Sequence, residues 1–160
     1  MIDKFKSTFG EPIDGVKIVP QKRILDSRGG IMHMLKSTDE IFKSFGEIYF
    51  SFANPGIIKA WHVHKEMYVN NCVVSGTAKL VCCDIRENSK TKGNILEVYL
   101  SKENYCTVQI PPGIANGYTP VGTELAMIAN CASIPHKQGE MDYIDPFSSL
   151  IPYSWEQKHG

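Results

Sequence analysis

Short strand-like segments, most of them closed by a glycine, proline or asparagine turn, follow one another along most of this chain, and that rhythm leaves few architectures open. Residues 16–19, 23–25, 30–35, 47–53, 57–62, 69–74, 77–85, 95–100, 105–110, 118–120 and 124–132 have strand length or strand alternation. Between them stand Asn54-Pro55-Gly56, Ser75-Gly76 and Lys92-Gly93-Asn94, where Gly supplies positive φ and Pro a fixed one. Only residues 38–45 read as helical, with a Thr or Ser cap, early acids, and Ile41 and Phe45 at i, i+4. The pattern predicts an all-β, double-sheet jelly roll with one short helix. Neither an internal repeat nor a linker divides it, so residues 1–160 are expected to form a single domain.

The chemistry concentrates in residues 56–76, GIIKAWHVHKEMYVNNCVVSG. Side chains alternate along a strand, so Ala60, His62 and His64 are expected on one face and Trp61 and Val63 on the other. Two imidazoles then share a surface. About fifty residues on, an apolar strand runs into Pro111-Pro112-Gly113 and re-emerges as Ile114-Ala115-Asn116-Gly117-Tyr118. Pro cannot donate to a central ladder and Gly permits positive φ, so this tripeptide marks a corner at a sheet rim.

Composition narrows the function classes. With 160 residues and 42% hydrophobic content, the chain can bury a core without disulfides. Seventeen basic and seventeen acidic residues give a formal net charge of zero, without a basic stripe for nucleic acid or an anionic membrane. The first fifteen residues hold neither a continuous apolar run nor the ~20 residues of a membrane span, so the expected location is the cytoplasm. Cys72, Cys82, Cys83, Cys106 and Cys131 are odd in number and lack a CxxC pair, and they read as reduced core thiols. His33 and His136 read as surface or hydrogen-bonded groups, His159 as a terminal residue, and Trp155 as an anchor for the tail.

Four motifs, in order, resemble those of the dTDP-4-dehydrorhamnose 3,5-epimerase family, a metal-independent branch of the cupins acting on nucleotide 4-keto sugars. Asp26-Ser27-Arg28-Gly29 resembles the family's DxRG, residues 56–62 its GVLRGLH, residues 110–118 its IPPGFAHGF, and Tyr143-Ile144-Asp145-Pro146 its WDDP. The resemblance implies that His62 is the general base, that Asp145 pairs with it, and that Arg28 and Lys59 meet the anionic end of the substrate. It also places His64, Asn116 and Tyr118 around the sugar. The chemistry suits these groups: a 4-keto group acidifies the hydrogens on C3 and C5, and a carboxylate on the far ring nitrogen fixes the tautomer of the base. Lysine in place of the family's arginine at 59 keeps the charge and loses the bidentate fork. The resemblance further implies a nucleotide-sugar substrate, no cofactor, no metal, and a homodimer in which Arg28 serves the neighbouring subunit's site.

Departures from the family pattern open alternatives. Val69 stands where the family has an enolate-stabilising lysine, and Ala132-Ser133-Ile134-Pro135-His136-Lys137 lacks the tyrosine that donates a proton on the opposite sugar face. Tyr118, Tyr68 or water must then supply that proton, or only one centre is inverted. Asn116 replaces a family histidine and His64 a glutamine. The 3,4-ketoisomerase cupins have a GHAHK-like segment similar to Trp61-His62-Val63-His64-Lys65, which makes ketoisomerisation the second reading. A non-catalytic sugar-binding cupin is the third. A metal cupin is disfavoured because Tyr68 and Asn116 occupy two of the positions its ligands would need.

Overall fold

The computed structural model describes residues 7–156. Thirteen strands are present among these residues: β1 (Thr8–Gly10), β2 (Lys17–Pro20), β3 (Arg23–Asp26), β4 (Gly29–Met32), β5 (Glu47–Ala53), β6 (Lys59–His64), β7 (Val69–Ser75), β8 (Ala78–Asp84), β9 (Ile95–Leu100), β10 (Cys106–Ile110), β11 (Ile114–Pro120), β12 (Ala126–Ala132) and β13 (Met141–Tyr143). They form a six-stranded sheet ordered β1-β9-β8-β11-β6-β13, a five-stranded sheet ordered β2-β10-β7-β12-β5, and the separate β3-β4 hairpin. All pairings are antiparallel. From β5 onward every connection except the β8-β9 turn crosses from one sheet to the other, which is the double-sheet jelly roll expected.

Glycine corners make two of those crossings, β7-β8 and β10-β11. Gly76, between β7 and β8, has φ of 71°, and a Cβ there would lie 2.2 Å from the Leu125 carbonyl oxygen. Gly113 has φ of 81°, and its N–H donates to the His64 carbonyl at 2.8 Å, tying the Pro-Pro-Gly corner to the end of the HxH strand.

Two apolar layers result. Between the sheets, Leu80, Cys82, Val98, Ile114 and Tyr118 meet Val73, Val108, Ile110, Ala126 and Ile128. On the outer face of the six-stranded sheet, Trp61, Val81, Cys83 and Ala115 are covered by Ile151 and Trp155 of the C-terminal segment. Trp61 is fully buried, its ring centroid 4.9 Å from that of Trp155 and 5.8 Å from that of Tyr153. The five cysteines are free and buried. Burial, with a smaller contribution from Cys83, pushes the Cys82 thiol up to about 12, so it is inert as a nucleophile.

Residues 38–45 are not a helix, and no helix occurs among the described residues. Asp39 instead closes a local turn, accepting from the Lys36 N–H at 2.8 Å, while its own N–H donates to the Lys36 carbonyl at 3.0 Å. The Ile41 carbonyl, which the next helical turn would need, accepts from the Gln109 side chain at 2.5 Å, and Ile41 is buried while Phe45 is exposed. Tertiary partners outbid a propensity too weak for so short a segment. No helix of the described residues is long and apolar enough to cross a membrane.

Candidate active site

Strands β5, β6, β7, β8, β11, β12 and β13 enclose a cavity of about 220 Å³ between the two sheets. His62 and His64 project into it from β6 and Asn116 and Tyr118 from β11, and Tyr49 and Ser51 come from β5. The strand period explains the first two, and the β6-β11 register, which pairs Asn116 with His62, explains the third. The alternation then fails. A register shift between Asn116 and Tyr118 brings Lys59 opposite Tyr118, so Lys59 lines the cavity and Ala60 joins the outer cluster beside Trp61. Gly117 permits the close approach: a Cβ there would lie 2.3 Å from the Cβ of Ala60.

Lys59 and Tyr118 are linked through Ser51. The Lys59 ammonium donates to Ser51 Oγ at 2.7 Å and to the Phe52 carbonyl at 3.3 Å, and Ser51 Oγ lies 2.9 Å from the Tyr118 hydroxyl. Burial raises the Tyr118 phenol above its ordinary value, against the opposing Ser51 hydrogen bond. Also lining the cavity, Asn130 donates to the Tyr49 hydroxyl at 2.7 Å. Asn116 donates to the His62 carbonyl at 3.1 Å, so it also fixes the backbone that carries the histidine.

The two histidines have different surroundings. His62 is half-buried, with the Tyr143 ring edge-on at 5.1 Å between centroids. Burial, then the charges of His64 and Lys59, lower its pKa from 6.5 to about 4. The ring is therefore a neutral free base at neutral pH, though a weaker one than an exposed imidazole. His64 is buried, and its Nδ1 lies 2.7 Å from Glu140 Oε2. The other oxygen of Glu140 accepts from the backbone N–H groups of Lys65, Glu66 and Met67 at 3.1, 3.1 and 2.9 Å. Burial alone would raise this carboxyl, but the His64 contact and the backbone donors outweigh it and hold the carboxyl below the usual range.

Several expected site residues lie elsewhere. Among the described residues no hydrogen bond joins His62 to Asp145. The backbone brings Asp145 close, since Ile144 exchanges hydrogen bonds with Trp61 at 2.9 and 3.1 Å. Yet the Asp145 carboxylate is exposed and accepts from the Phe147 N–H at 2.7 Å, closing its own turn. Arg28 sits on the β3-β4 hairpin, exposed and paired with Asp26 at 2.7 Å, and does not line this cavity. Tyr68 does not line it either, its ring lying 5.3 Å from the Lys43 ammonium. Val69 does, and presents an apolar wall. Glu140 carried no sequence signal: a lone acid after Gly139 belongs to no motif. Among the described residues no group of three or more His, Cys, Asp or Glu side chains is arranged to hold a metal ion.

The sequence profile of the dTDP-4-dehydrorhamnose 3,5-epimerase family matches residues 11–158. The spore coat polysaccharide biosynthesis protein SpsL of Bacillus subtilis is 35% identical over 117 residues, spanning 72% of this chain and 78% of that protein. A dTDP sugar isomerase from Desulfovibrio desulfuricans superposes with a TM-score of 0.87 at 36% identity, covering 89% of this chain and 92% of the other. The fold is shared more widely. An epimerase from Legionella pneumophila in complex with dTDP-4-keto-L-rhamnose has a TM-score of 0.80 at 24% identity, over 92% of this chain and 83% of its own. The chain belongs to the dTDP-4-dehydrorhamnose 3,5-epimerase family.

Proposed function

We propose that the protein epimerises a nucleotide-linked 4-keto-6-deoxy sugar at C3, C5 or both, in the biosynthesis of a deoxysugar destined for surface polysaccharide. The observation that carries the reading is an open-mouthed cavity holding a neutral, half-buried histidine at the family's base position, inside the family's fold. His62 takes the proton from carbon, and the 4-keto group receives the electron pair. Tyr118, inside the cavity and linked to Lys59 through Ser51, is the candidate to return a proton on the opposite face. The relatives support the substrate class: one is a dTDP sugar isomerase and another acts in polysaccharide biosynthesis. At about 220 Å³ the cavity is smaller than the ~300–1,000 Å³ of a drug-sized ligand site, which suits the sugar ring with the nucleotide lying outside. A second reading, 3,4-ketoisomerisation, is favoured by one observation, the two imidazoles on a single wall.

Incubation with dTDP-4-keto-6-deoxyglucose in deuterated water, followed by proton NMR, tests the reading. Deuterium entering C3 or C5 with inversion is the expected result. A carbonyl moved to C3 would select the ketoisomerase instead, and a protein that binds the nucleotide sugar without exchange would be a binding module.

The working form is a cytoplasmic homodimer. The outer face of edge strand β5 exposes Ile48, Phe50 and Phe52, and the β3-β4 hairpin exposes Ile24, Leu25, Ile31 and Met32. Edge strands with apolar outer faces are rarely left uncovered. Pairing of the hairpin with a partner would bury these side chains and carry Arg28 toward the neighbouring cavity, where its guanidinium can hold a diphosphate. Sedimentation at micromolar concentration is expected to show a dimer, and Phe50→Lys should shift it toward monomer. A strictly monomeric wild type would remove Arg28 from the site.

A further inference from the structure

One cavity-lining histidine is backed by a buried carboxylate, and the pair is not the one implied by the family motifs. Glu140 is 2% exposed and its carboxylate is held by three consecutive backbone N–H groups, so its position is fixed by the turn that follows β6. Those N–H groups occupy Oε1; Oε2 is directed at His64 Nδ1 at 2.7 Å. Clamping the turn would need only the first oxygen. A carboxylate accepts and cannot donate, so Nδ1 carries the hydrogen and Nε2 is left as the atom of His64 that gains and loses a proton. His64 shares the cavity wall with His62 and Asn116.

The chemistry has a place for such a group. Removing a proton next to a ketone places negative charge on oxygen, and donors aimed at that oxygen supply a large share of the rate enhancement. Val69 provides none, and the Lys59 ammonium is engaged by Ser51 and the Phe52 carbonyl. The two imidazoles also have unlike partners. Burial and neighbouring charge keep His62 neutral, while His64 has a buried counter-charge on its far nitrogen.

We propose that His64, held in orientation by Glu140, is a second proton-transfer residue, donating from Nε2 to the 4-keto oxygen as His62 removes the carbon-bound proton. This assignment rests on the epimerase reading above. The C–H electron pair becomes a ring C=C bond, the carbonyl π pair moves to oxygen, and that oxygen takes up the Nε2 proton. Carbon is then reprotonated from the opposite face, by Tyr118 in the reading above, as the electron pairs return and the oxygen's proton goes back to His64 Nε2; solvent takes the proton left on His62 and restores that of Tyr118, so no electrons are gained or lost and no co-reactant is consumed. His64 is the catalytic residue and Glu140 its positioning residue.

His64→Asn tests the assignment without removing the partner of Glu140, because the asparagine amide nitrogen stands near the former Nδ1 and can still donate to the carboxylate while Nε2 is gone. With dTDP-4-keto-6-deoxyglucose, kcat is expected to fall about 10²–10³-fold with KM within about threefold. Glu140→Gln should lower kcat at least about tenfold, again with little change in KM. Long-range proton–nitrogen NMR of the histidine rings in the ligand-free protein reads the dyad independently of turnover: His64 is expected with Nδ1 protonated in the wild type, and with that preference lost in Glu140→Gln. A His64→Asn variant that keeps kcat within about threefold of a turning-over wild type, or a wild-type His64 with a bare Nδ1, overturns the proposal. If the wild type turns over no nucleotide 4-keto sugar, the epimerase reading fails, and the ring spectrum still decides whether the pair exists.

Discussion

Replacing His62 with alanine is expected to lower kcat by about 10³–10⁴-fold while leaving the affinity for the nucleotide sugar nearly unchanged. The imidazole contributes its lone pair in the transition state and little area in the ground state, and the binding cations, Lys59 and the proposed Arg28 of a partner, are separate from it. Stopped-time NMR assays for turnover and calorimetry for binding separate the two effects. The pH profile of the wild type carries the same assignment. Only neutral His62 can accept a proton, so kcat/KM is expected to lose its acid limb near the lowered value of about 4, not near 6.5. Activity should therefore persist as pH falls through 6 and 5 and collapse below. Burial is the largest cause of the shift and the charges of His64 and Lys59 come after it, so Lys59→Gln should move the limb upward only in part. A wild-type limb near 6.5 would mean that another group, or a solvated His62, acts as the base.

Trp61→Ala should have the largest effect on stability, about 3–5 kcal/mol, seen as a loss of about 10 °C in Tm. Trp61 has no solvent exposure, and it packs with Val81, Cys83 and Ala115 on the sheet and with Ile151, Tyr153 and Trp155 of the tail. Truncation opens a cavity that cannot collapse on the β side and removes the surface on which the C-terminal segment lies. Differential scanning calorimetry gives the size of the loss. Limited proteolysis adds a second check, since cleavage between Asp145 and Trp155 should rise in the variant before global unfolding. A loss under about 1 kcal/mol would show that the tail does not depend on this contact. Because Trp61 precedes His62 on β6, residual activity per folded molecule should be measured at a temperature where the variant is fully folded.

How much of this was legible in the sequence depends on the range of the interaction involved. Strand period is local, so β5 and β9 run over Glu47–Ala53 and Ile95–Leu100 as the alternation predicts, and His62 and His64 share a face for the same reason. The Pro-Pro-Gly corner is local too, since the fixed φ of proline and the positive φ of Gly113 act within a few residues. The helix expected over residues 38–45 failed because Gln109, distant in sequence, takes the Ile41 carbonyl. Strands β1 and β13 were missed because three residues give no period, and each exists only as an addition to the edge of a sheet.

The site divides along the same line. The sequence by itself determined the sheet architecture, the pair of imidazoles on one wall, Asn116 and Tyr118 beside them, and through its four motifs the family. Only the tertiary structure decided that Lys59 instead of Ala60 turns inward, because a register shift belongs to two strands and is written in neither alone. It decided that the Asp145 carboxylate closes its own turn. It also supplied Glu140, 76 residues from His64, since the partner of a buried charge is chosen by whichever carboxylate folding brings within hydrogen-bond distance.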